Sequence, residues 1–421
     1  MQLIFSNITR YILLALLVII SFRLGLHTPL NNQIFILEIV FIICCLGMFV
    51  WRLTRMSYSF GGVSSYDYLI LGLSLFPIIG GLSALSQFGQ PFFHGFIHQR
   101  DFYLILSGPL VLYLLQFRII TLVTLEKSLV ITAWSCLIIF MISTLLINPV
   151  PYLETDFVGY NTLKGGYIFK FVMSFISFGF LYYFINYFRK KQLLQLLYSA
   201  LFLGYLLFIR QDRSIIMITL ATSAIFFFGQ IFPTNKLKYT LFISLTLAFT
   251  VAVINLSDTT YFDKFKNVLS LIQGEETNES STNVRRAETA LAIPYIIENP
   301  FFGNGELSNQ WNGGYQKQIG YFYPSDIGII GEIYVFGILG TLILNLQFLY
   351  AYYQIKKVKE KKYDQLFIAS KYFLVYIFLE SLTAGQTIFY AANSVFFIAI
   401  VYFYKVSESP NPISLDKTPN T

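Results

Sequence analysis

Apolar runs long enough to cross a bilayer recur along the chain between short polar connections, and one polar stretch, 257–326, is far longer than the rest. A bilayer core about 30 Å thick requires roughly 20 apolar residues of α-helix. The pattern therefore predicts an all-α fold, a polytopic transmembrane helical bundle of about twelve spans. The predicted spans are 11–26, 34–51, 66–86, 101–117, 128–148, 167–187, 193–209, 214–232, 238–256, 327–353, 366–384 and 388–404.

These spans divide the chain into predicted parts. Residues 1–256 hold the earlier transmembrane helices, 257–326 form a large loop with short amphipathic helices, and 327–405 hold the remaining helices. Residues 406–421 are predicted to be a disordered tail, because they are short of apolar residues and contain proline.

Clusters of Lys and Arg predict the orientation in the membrane. With the N-terminus in the cytoplasm, every strong cluster falls on the cytoplasmic side, as the positive-inside rule requires. These clusters lie at 52–55, 118–127, 189–191, 236–238 and 356–362. Both termini are then cytoplasmic, and the long loop is extracytoplasmic, where no ATP is available.

Composition agrees with a membrane protein and excludes other classes. The chain is 56% hydrophobic and only 12% charged. A soluble protein of this length needs more charged residues to cover its solvated surface. The net charge of +7 is dispersed between apolar spans, so it predicts cytoplasmic loops rather than nucleic-acid binding. Cys44, Cys45 and Cys136 all fall in apolar spans, and neither a disulfide framework, a metal nor a cofactor is predicted.

Two predicted spans are separated by a very short connection that contains Arg210, Asp212 and Arg213 and few other polar residues. Charge so close to a bilayer usually faces a bundle interior or a watery cavity. The planar guanidinium of arginine suits bidentate binding of phosphate. The alternative is a tight turn in which Asp212 pairs with one arginine and both arginines reach the interface.

Arg285 and Arg286 open a predicted amphipathic helix, 284–298, interrupted at Pro294. Its predicted apolar stripe is Val284, Ala287 and Leu291. Arginines near a helix N-terminus suit an anion, because the free N–H groups and the dipole add to their charge. The alternative is an interfacial helix whose arginines contact lipid headgroups.

Asp326 and Glu332 stand at the entry to the span 327–353. A carboxylate there suits a general base. The alternatives are a helix cap for Asp326 and a buried structural partner of a basic residue for Glu332. Glycines in the same segment predict a close-packing helix face, at Gly328, Gly331, Gly337 and Gly340.

Three local patterns resemble the O-antigen polymerase and ligase family of membrane glycosyltransferases. Ile209-Arg-Gln-Asp-Arg213 resembles the arginine motif that precedes a span in that family. Arg286 followed by Pro300-Phe-Phe-Gly-Asn-Gly305 is similar to its arginine-to-Pro-x-x-Gly-x-Gly segment, and Pro324-Ser-Asp-Ile-Gly328 resembles the entry to the next span. The similar region covers 205–342.

The resemblance implies a metal-independent, inverting glycosyl transfer at the extracytoplasmic face of a bacterial cytoplasmic membrane, as in lipopolysaccharide, capsule or exopolysaccharide biosynthesis. A polyprenyl-diphosphate-linked glycan is implied as both donor and acceptor, with membrane lipid, a chain-length regulator and a flippase as partners. Arg213 and Arg286 are implied to stabilise the diphosphate, and Asp326 to act as base or to orient the acceptor. The implied substrate-binding residues are Arg210, Arg285, Asp212, Glu332 and Tyr323. Aromatic residues of the loop are expected either to stack on sugars or to form an interfacial belt, at Trp311, Tyr315, Tyr321 and Tyr323.

One departure from the family concerns histidine. Ligases of the group carry a histidine at the end of the long loop, where this chain has Tyr323-Pro-Ser-Asp326. His27, His94 and His98 all lie far from that position in the sequence. The departure favours a polymerase, and the alternatives are a ligase-type transferase or a flippase for lipid-linked oligosaccharides.

Overall fold

The computed structural model describes residues 7–25, 31–59, 64–153, 155, 158–161, 166–210, 212–231, 280–359, 364–385 and 390–408. In this part, 6 helical segments are long and apolar enough to cross a membrane, and shorter apolar helices accompany them. The long segments are Phe35–Thr54, Ser65–Phe88, Leu122–Leu146, Leu193–Arg210, Ile329–Lys357 and Gln365–Thr383. A helical membrane protein is therefore confirmed. The full number of spans stays a prediction, and the predicted span 238–256 lies outside the described residues.

The helices of the described residues follow the predicted apolar runs closely. In chain order they are α1 (Asn7–Ser21), α2 (Asn31–Ser59), α3 (Ser65–Leu73), α4 (Phe76–Phe88), α5 (Phe92–His98), α6 (Ser107–Gln116), α7 (Leu122–Leu146), α8 (Ser174–Lys190), α9 (Leu193–Gly204), α10 (Arg213–Phe226), α11 (Ser280–Glu298), α12 (Gly314–Gln318), α13 (Ile329–Lys357), α14 (Gln365–Thr383) and α15 (Ala391–Ser407).

Two predicted spans do not begin as α-helices. Arg100–Leu106 is a 3₁₀ helix ahead of α6, and β2 (Gly166–Phe169) precedes α8. β2 pairs antiparallel with β1 (Val158–Asn161), with Val158 opposite Phe169. This short strand pair is an addition to a fold that is otherwise helical in the described residues, as predicted. The consecutive Tyr167, Ile168 and Phe169 of β2 are residue types that favour strands.

α15 lies at the centre of the packing. Its residues from Ala391 to Val401 are almost completely buried, and it packs against α6, α13 and α14. The hydroxyl of Tyr66 in α3 donates a hydrogen bond to the Val395 carbonyl at 3.0 Å. A helix that is apolar on every side is stable when neighbours cover every side, so the other helices assemble around α15.

A buried ion pair joins α2 to α3. Arg52 Nη2 lies 3.2 Å from Asp67 Oδ1, and both side chains are almost completely buried. Asp67 also exchanges hydrogen bonds with Ser64 at the N-terminus of α3. Arg52 is one of the basic residues that predict the orientation, and here it serves the protein interior rather than a solvated loop.

α13 is broken at Gly337, where φ is 68° and ψ is 178°. The break frees the carbonyls of the first half-helix, and a segment of the long polar stretch binds them. Asn304 N donates to the Tyr334 carbonyl at 2.8 Å, and Gly305 N donates to the Val335 carbonyl at 2.9 Å. Gly337 is therefore a break rather than part of a close-packing helix face, which corrects that prediction.

The same segment also satisfies the second half of α13. Ile338 N donates to the Pro300 carbonyl at 2.8 Å, and Leu339 N donates to the Phe301 carbonyl at 3.3 Å. Gly303 lies so close to the break that a Cβ atom there would meet the backbone of Gly337. The Pro-x-x-Gly-x-Gly pattern thus has a structural role, because it fills the break in a membrane helix whose backbone groups have no water to bind.

Candidate functional site

The described part of the long polar stretch packs onto the start of α13 through α11. This helix runs through Pro294 without interruption, which corrects the predicted interruption. Pro294 and Ala290, whose carbonyl loses its helical partner to the proline, both lie on the exposed side of α11. The proline ring therefore displaces no packed neighbour.

The buried side of α11 differs from the predicted apolar stripe. Val284 and Ala287 are exposed, whereas Ala292 and Glu288 are completely buried. Glu288 Oε1 accepts a hydrogen bond from Tyr323 N at 3.2 Å. The Glu288 carboxyl group thus anchors α11 to the segment that contains Tyr323.

Glu288 and Asp326 form a pair of interacting carboxyl groups beside Arg285. Burial and the charge of Asp326 raise the pKa of Glu288 to about 7, against the opposing effects of the Tyr323 amide and the Arg285 charge. The surrounding protein also raises the pKa of Asp326, although that residue keeps contact with solvent, and Arg285 and Lys170 act in the opposite direction. The structure therefore brings together the predicted Arg285 and Asp326 with two residues that were not predicted.

The sequence gives little indication that Glu288 and Lys170 belong with Arg285 and Asp326. Glu288 lies three residues after Arg285, on the opposite side of α11 from Arg286. Lys170 is a single charge in the predicted span 167–187, which in the structure follows β2. A charge inside an apolar run is a reason to expect a polar site nearby.

Two exposed tyrosines border the carboxyl pair. Tyr321 is 61% exposed and Tyr323 is 43% exposed, and their rings meet edge to face at 5.3 Å. Both rings are open to solvent. Tyr315, by contrast, is buried, and its hydroxyl donates a hydrogen bond to the Gly305 carbonyl.

The turn before α10 contributes differently from the prediction. Arg210 Nη1 donates to the Phe169 carbonyl at 2.9 Å, so Arg210 lies against the end of β2, next to Lys170. Asp212 caps α10, with Oδ1 accepting from Ile215 N at 3.4 Å. Arg213 begins α10, and its side chain lies outside the described part of the structure.

The end of α14 connects this turn to the carboxyl pair. Asp212 lies close enough to Glu380 of α14 for their charges to interact. Two residues after α14 ends, Gly385 N donates to the Ser325 carbonyl at 2.8 Å, beside Asp326. The predicted residues Arg210, Asp212, Arg285 and Asp326 therefore lie at one end of the bundle, which we call the site end.

Arg286 and Glu332 lie apart from this cluster. Arg286 is exposed on the side of α11 opposite Glu288. Glu332 is 1% exposed, and its Oε2 accepts from Asn345 Nδ2 at 3.0 Å. Among the described residues the partner of Glu332 is therefore Asn345 and not a basic side chain, and Glu332 belongs to the packing of α13.

His98 belongs to a separate pair. His98 Nε2 lies 3.5 Å from Glu306 Oε1. Burial opposes protonation of His98, but the hydrogen bond and the charge of Glu306 outweigh it and raise the His98 pKa. His27 lies outside the described residues. In the part of the chain that the structure describes, no group of three His, Cys, Asp or Glu residues is arranged to hold a metal ion.

Comparison of the sequence with family models and with curated proteins gives no match. Any function for the site end therefore rests on its own residues.

Proposed function

We propose that this protein is a polysaccharide polymerase, a membrane glycosyltransferase that joins polyprenyl-diphosphate-linked oligosaccharide units at the extracytoplasmic face of a bacterial membrane. The observation that carries the proposal is the cluster of Arg285, Asp326, Glu288 and Lys170 at the site end. The cluster combines cationic groups for an anionic leaving group with an exposed carboxyl group, bordered by exposed tyrosines.

The proposed reaction needs one base and one electrostatic stabiliser. An acceptor sugar hydroxyl attacks the anomeric carbon of the donor, and its proton passes to Asp326. The bond between the anomeric carbon and the diphosphate oxygen breaks, and the diphosphate leaves with the electron pair. Arg285 stabilises the charge that grows on the leaving group, an effect that is strong in a preorganised site. The donor supplies the driving force, so no ATP is needed.

Asp326 suits the base better than Glu288 does. Asp326 is exposed and open to an acceptor, whereas Glu288 is completely buried and holds the Tyr323 amide. The raised pKa of Asp326 makes its carboxylate more basic than an ordinary aspartate. Glu288 then positions the turn that carries Asp326.

The break in α13 favours an enzyme over a transporter. In transporters, broken helices direct free half-helix ends at the substrate. Here the amides of Ile338 and Leu339 are bound by the Pro300 and Phe301 carbonyls, so this half-helix end is occupied. We therefore assign the anion to arginine side chains rather than to a helix terminus.

The test is polysaccharide formation in cells that carry Arg285→Ala, Arg286→Ala or Asp326→Asn. We expect single repeat units to accumulate on their lipid carrier, with a loss of polymer of at least about 100-fold for Arg285→Ala and Asp326→Asn. Lys317→Ala is the matched control, because Lys317 is an exposed residue of the same polar stretch. Normal polymer in the Arg285 and Asp326 variants contradicts the proposal. Undisplayed long chains identify a ligase, and units trapped on the inner leaflet identify a flippase.

A further inference from the structure

The exposed face of α11 changes character along its length. Arg286, Ile293 and Ile297 follow one another at spacings of seven and four residues, which places them on one stripe of a helix. Ile293 is 47% exposed and Ile297 is 71% exposed. The stripe continues into Phe301 and Phe302, which are 57% and 71% exposed. An arginine thus stands at one end of the stripe and large apolar side chains at the other.

The apolar end of the stripe lies against membrane-spanning helices. The Phe302 carbonyl accepts from Ser83 Oγ at 3.3 Å, and the Phe301 carbonyl accepts from Leu339 N at 3.3 Å. Ser83 and Leu339 both belong to segments that are long and apolar enough to cross a membrane. The exposed rings of Phe301 and Phe302 therefore lie beside segments that are apolar enough to cross a membrane.

Arg285, the residue before Arg286, lies beside the candidate site. Arg285 is close enough to Asp326 for their charges to interact, and Asp326 precedes the start of α13. Arg285 and Arg286 are both exposed, and Arg285 interacts electrostatically with Glu288 and Asp326. Both guanidinium groups are accessible from solvent, and bidentate binding to phosphate is the geometry that arginine favours.

We propose that the exposed face of α11 is the docking surface for a phosphate-bearing lipid, with its phosphate groups at Arg285 and Arg286 and its hydrocarbon chain along Ile293, Ile297, Phe301 and Phe302. This inference rests on the proposed function, for which it places the chain of the polyprenyl carrier. Eleven residues of helix separate Arg286 from Ile297, about 16 Å. That length matches the hydrocarbon depth of one leaflet, about 15 Å.

Charge complementarity selects this occupant over a partner helix. The cationic groups stand only at the end next to Asp326, and the remaining stripe is apolar. A lipid with an anionic head and a hydrocarbon tail is complementary to this surface, because its head matches the cationic end and its tail matches the apolar end. Bulk phospholipid also covers exposed apolar side chains, and competition separates it from a dedicated ligand.

The experiment measures both binding and turnover with the full-length protein in nanodiscs. The binding probe is a polyprenyl diphosphate with a photoreactive group in its hydrocarbon chain. Turnover is measured with lipid-linked donors of long and short chain length. The variants are Ile297→Ser and Phe302→Ser, with Phe302→Leu to restore an apolar side chain. Leu349→Ser is the matched control, because Leu349 is a 63% exposed residue of α13 elsewhere on the surface.

We expect crosslinks within 293–302, and an increase of about tenfold in KM for the long-chain donor in the serine variants, with the short-chain donor unaffected. Leu349→Ser should behave as the unaltered protein, and Phe302→Leu should raise the KM for the long-chain donor less than Phe302→Ser does. Crosslinks elsewhere, or equal competition by ordinary phospholipid, overturn the inference and leave the proposed function intact. Crosslinks within 293–302 that depend on the arginines, without turnover of any donor, support the docking surface and contradict the proposed function.

Discussion

Glu332 and Asn345 are 13 residues apart along α13, yet their side chains are joined by a hydrogen bond of 3.0 Å. In a straight helix that separation corresponds to about 20 Å along the axis. The contact therefore measures the bend at Gly337, and it ties the two halves of α13 together. The short loop segment 300–305 fills the gap that the bend opens.

Asn345→Ala should destabilise the protein by about 1–3 kcal/mol, because it leaves the buried Glu332 carboxyl group without a hydrogen bond among the described residues. Thermal unfolding in detergent measures the effect. Leu346→Ala is the control, since Leu346 is next in the chain and half exposed. An unchanged melting temperature would show that the contact does not hold the bend.

Gly337→Ala should destabilise the protein by a larger amount, about 2–5 kcal/mol, and should reduce the amount of folded protein. The residue has a positive φ, and a Cβ atom there would meet the Phe301 backbone. Gly72→Ala is a matched control in another helix, because its Cβ would meet nothing within 4 Å. Equal expression and melting of the two variants would be inconsistent with the paired loop and break.

Asp212→Ala should cost about 1 kcal/mol by removing the cap of α10. Asp212→Asn retains a capping oxygen, so it should keep both stability and polymer formation. Melting temperature and polymer yield are measured together. Loss of polymer in Asp212→Asn at unchanged stability would mean that the negative charge of Asp212, and not its cap, serves the site.

The carboxyl pair predicts a pH dependence of stability. The pKa of Glu288 is raised from 4.5 to about 7, so the folded protein holds this proton more tightly than the unfolded chain. Its contribution to stability is complete below the unfolded pKa of about 4.5 and is lost as the pH rises through about 7. Glu288→Gln stays neutral, and we expect it to melt a few degrees above the unaltered protein near pH 8.

A second variant tests the cause of that shift. Burial is the larger cause of the raised Glu288 pKa, and Asp326→Asn removes the second cause, which is the charge of Asp326. The loss of stability should then move to lower pH than in the unaltered protein. The melting curve is recorded between about pH 4 and pH 9. A transition at the same pH in both proteins would show that the two carboxyl groups do not interact.

The His98–Glu306 pair predicts a separate dependence. The raised pKa of His98 means that the pair stabilises the fold fully below the ordinary histidine pKa of about 6.5. This stability is lost as the pH rises through the raised value. His98→Gln should therefore melt below the unaltered protein at about pH 5.5 and approach it at about pH 9. A difference that is the same at both pH values would exclude the charged pair.

The sequence predicted the membrane helices well, because long apolar runs leave few other structures. It also singled out Arg285 and Asp326, whose charges interact in the structure, while their role as a site stays a prediction. It missed Glu288, since a carboxylate on a buried helix face contradicts the expected apolar stripe. The break at Gly337 was missed for a different reason. Glycine in a membrane helix usually indicates close packing, and the segment that fills the break lies far upstream in the chain.

The pairing of residues 300–305 with α13 also sets a limit on protein engineering. A loop that only connects two helices can be exchanged between related proteins without its neighbours. Here the loop supplies backbone hydrogen bonds to both halves of a broken membrane helix, through Pro300, Phe301, Asn304 and Gly305. A chimaera intended to change substrate specificity must therefore transfer this segment and the broken part of α13 together.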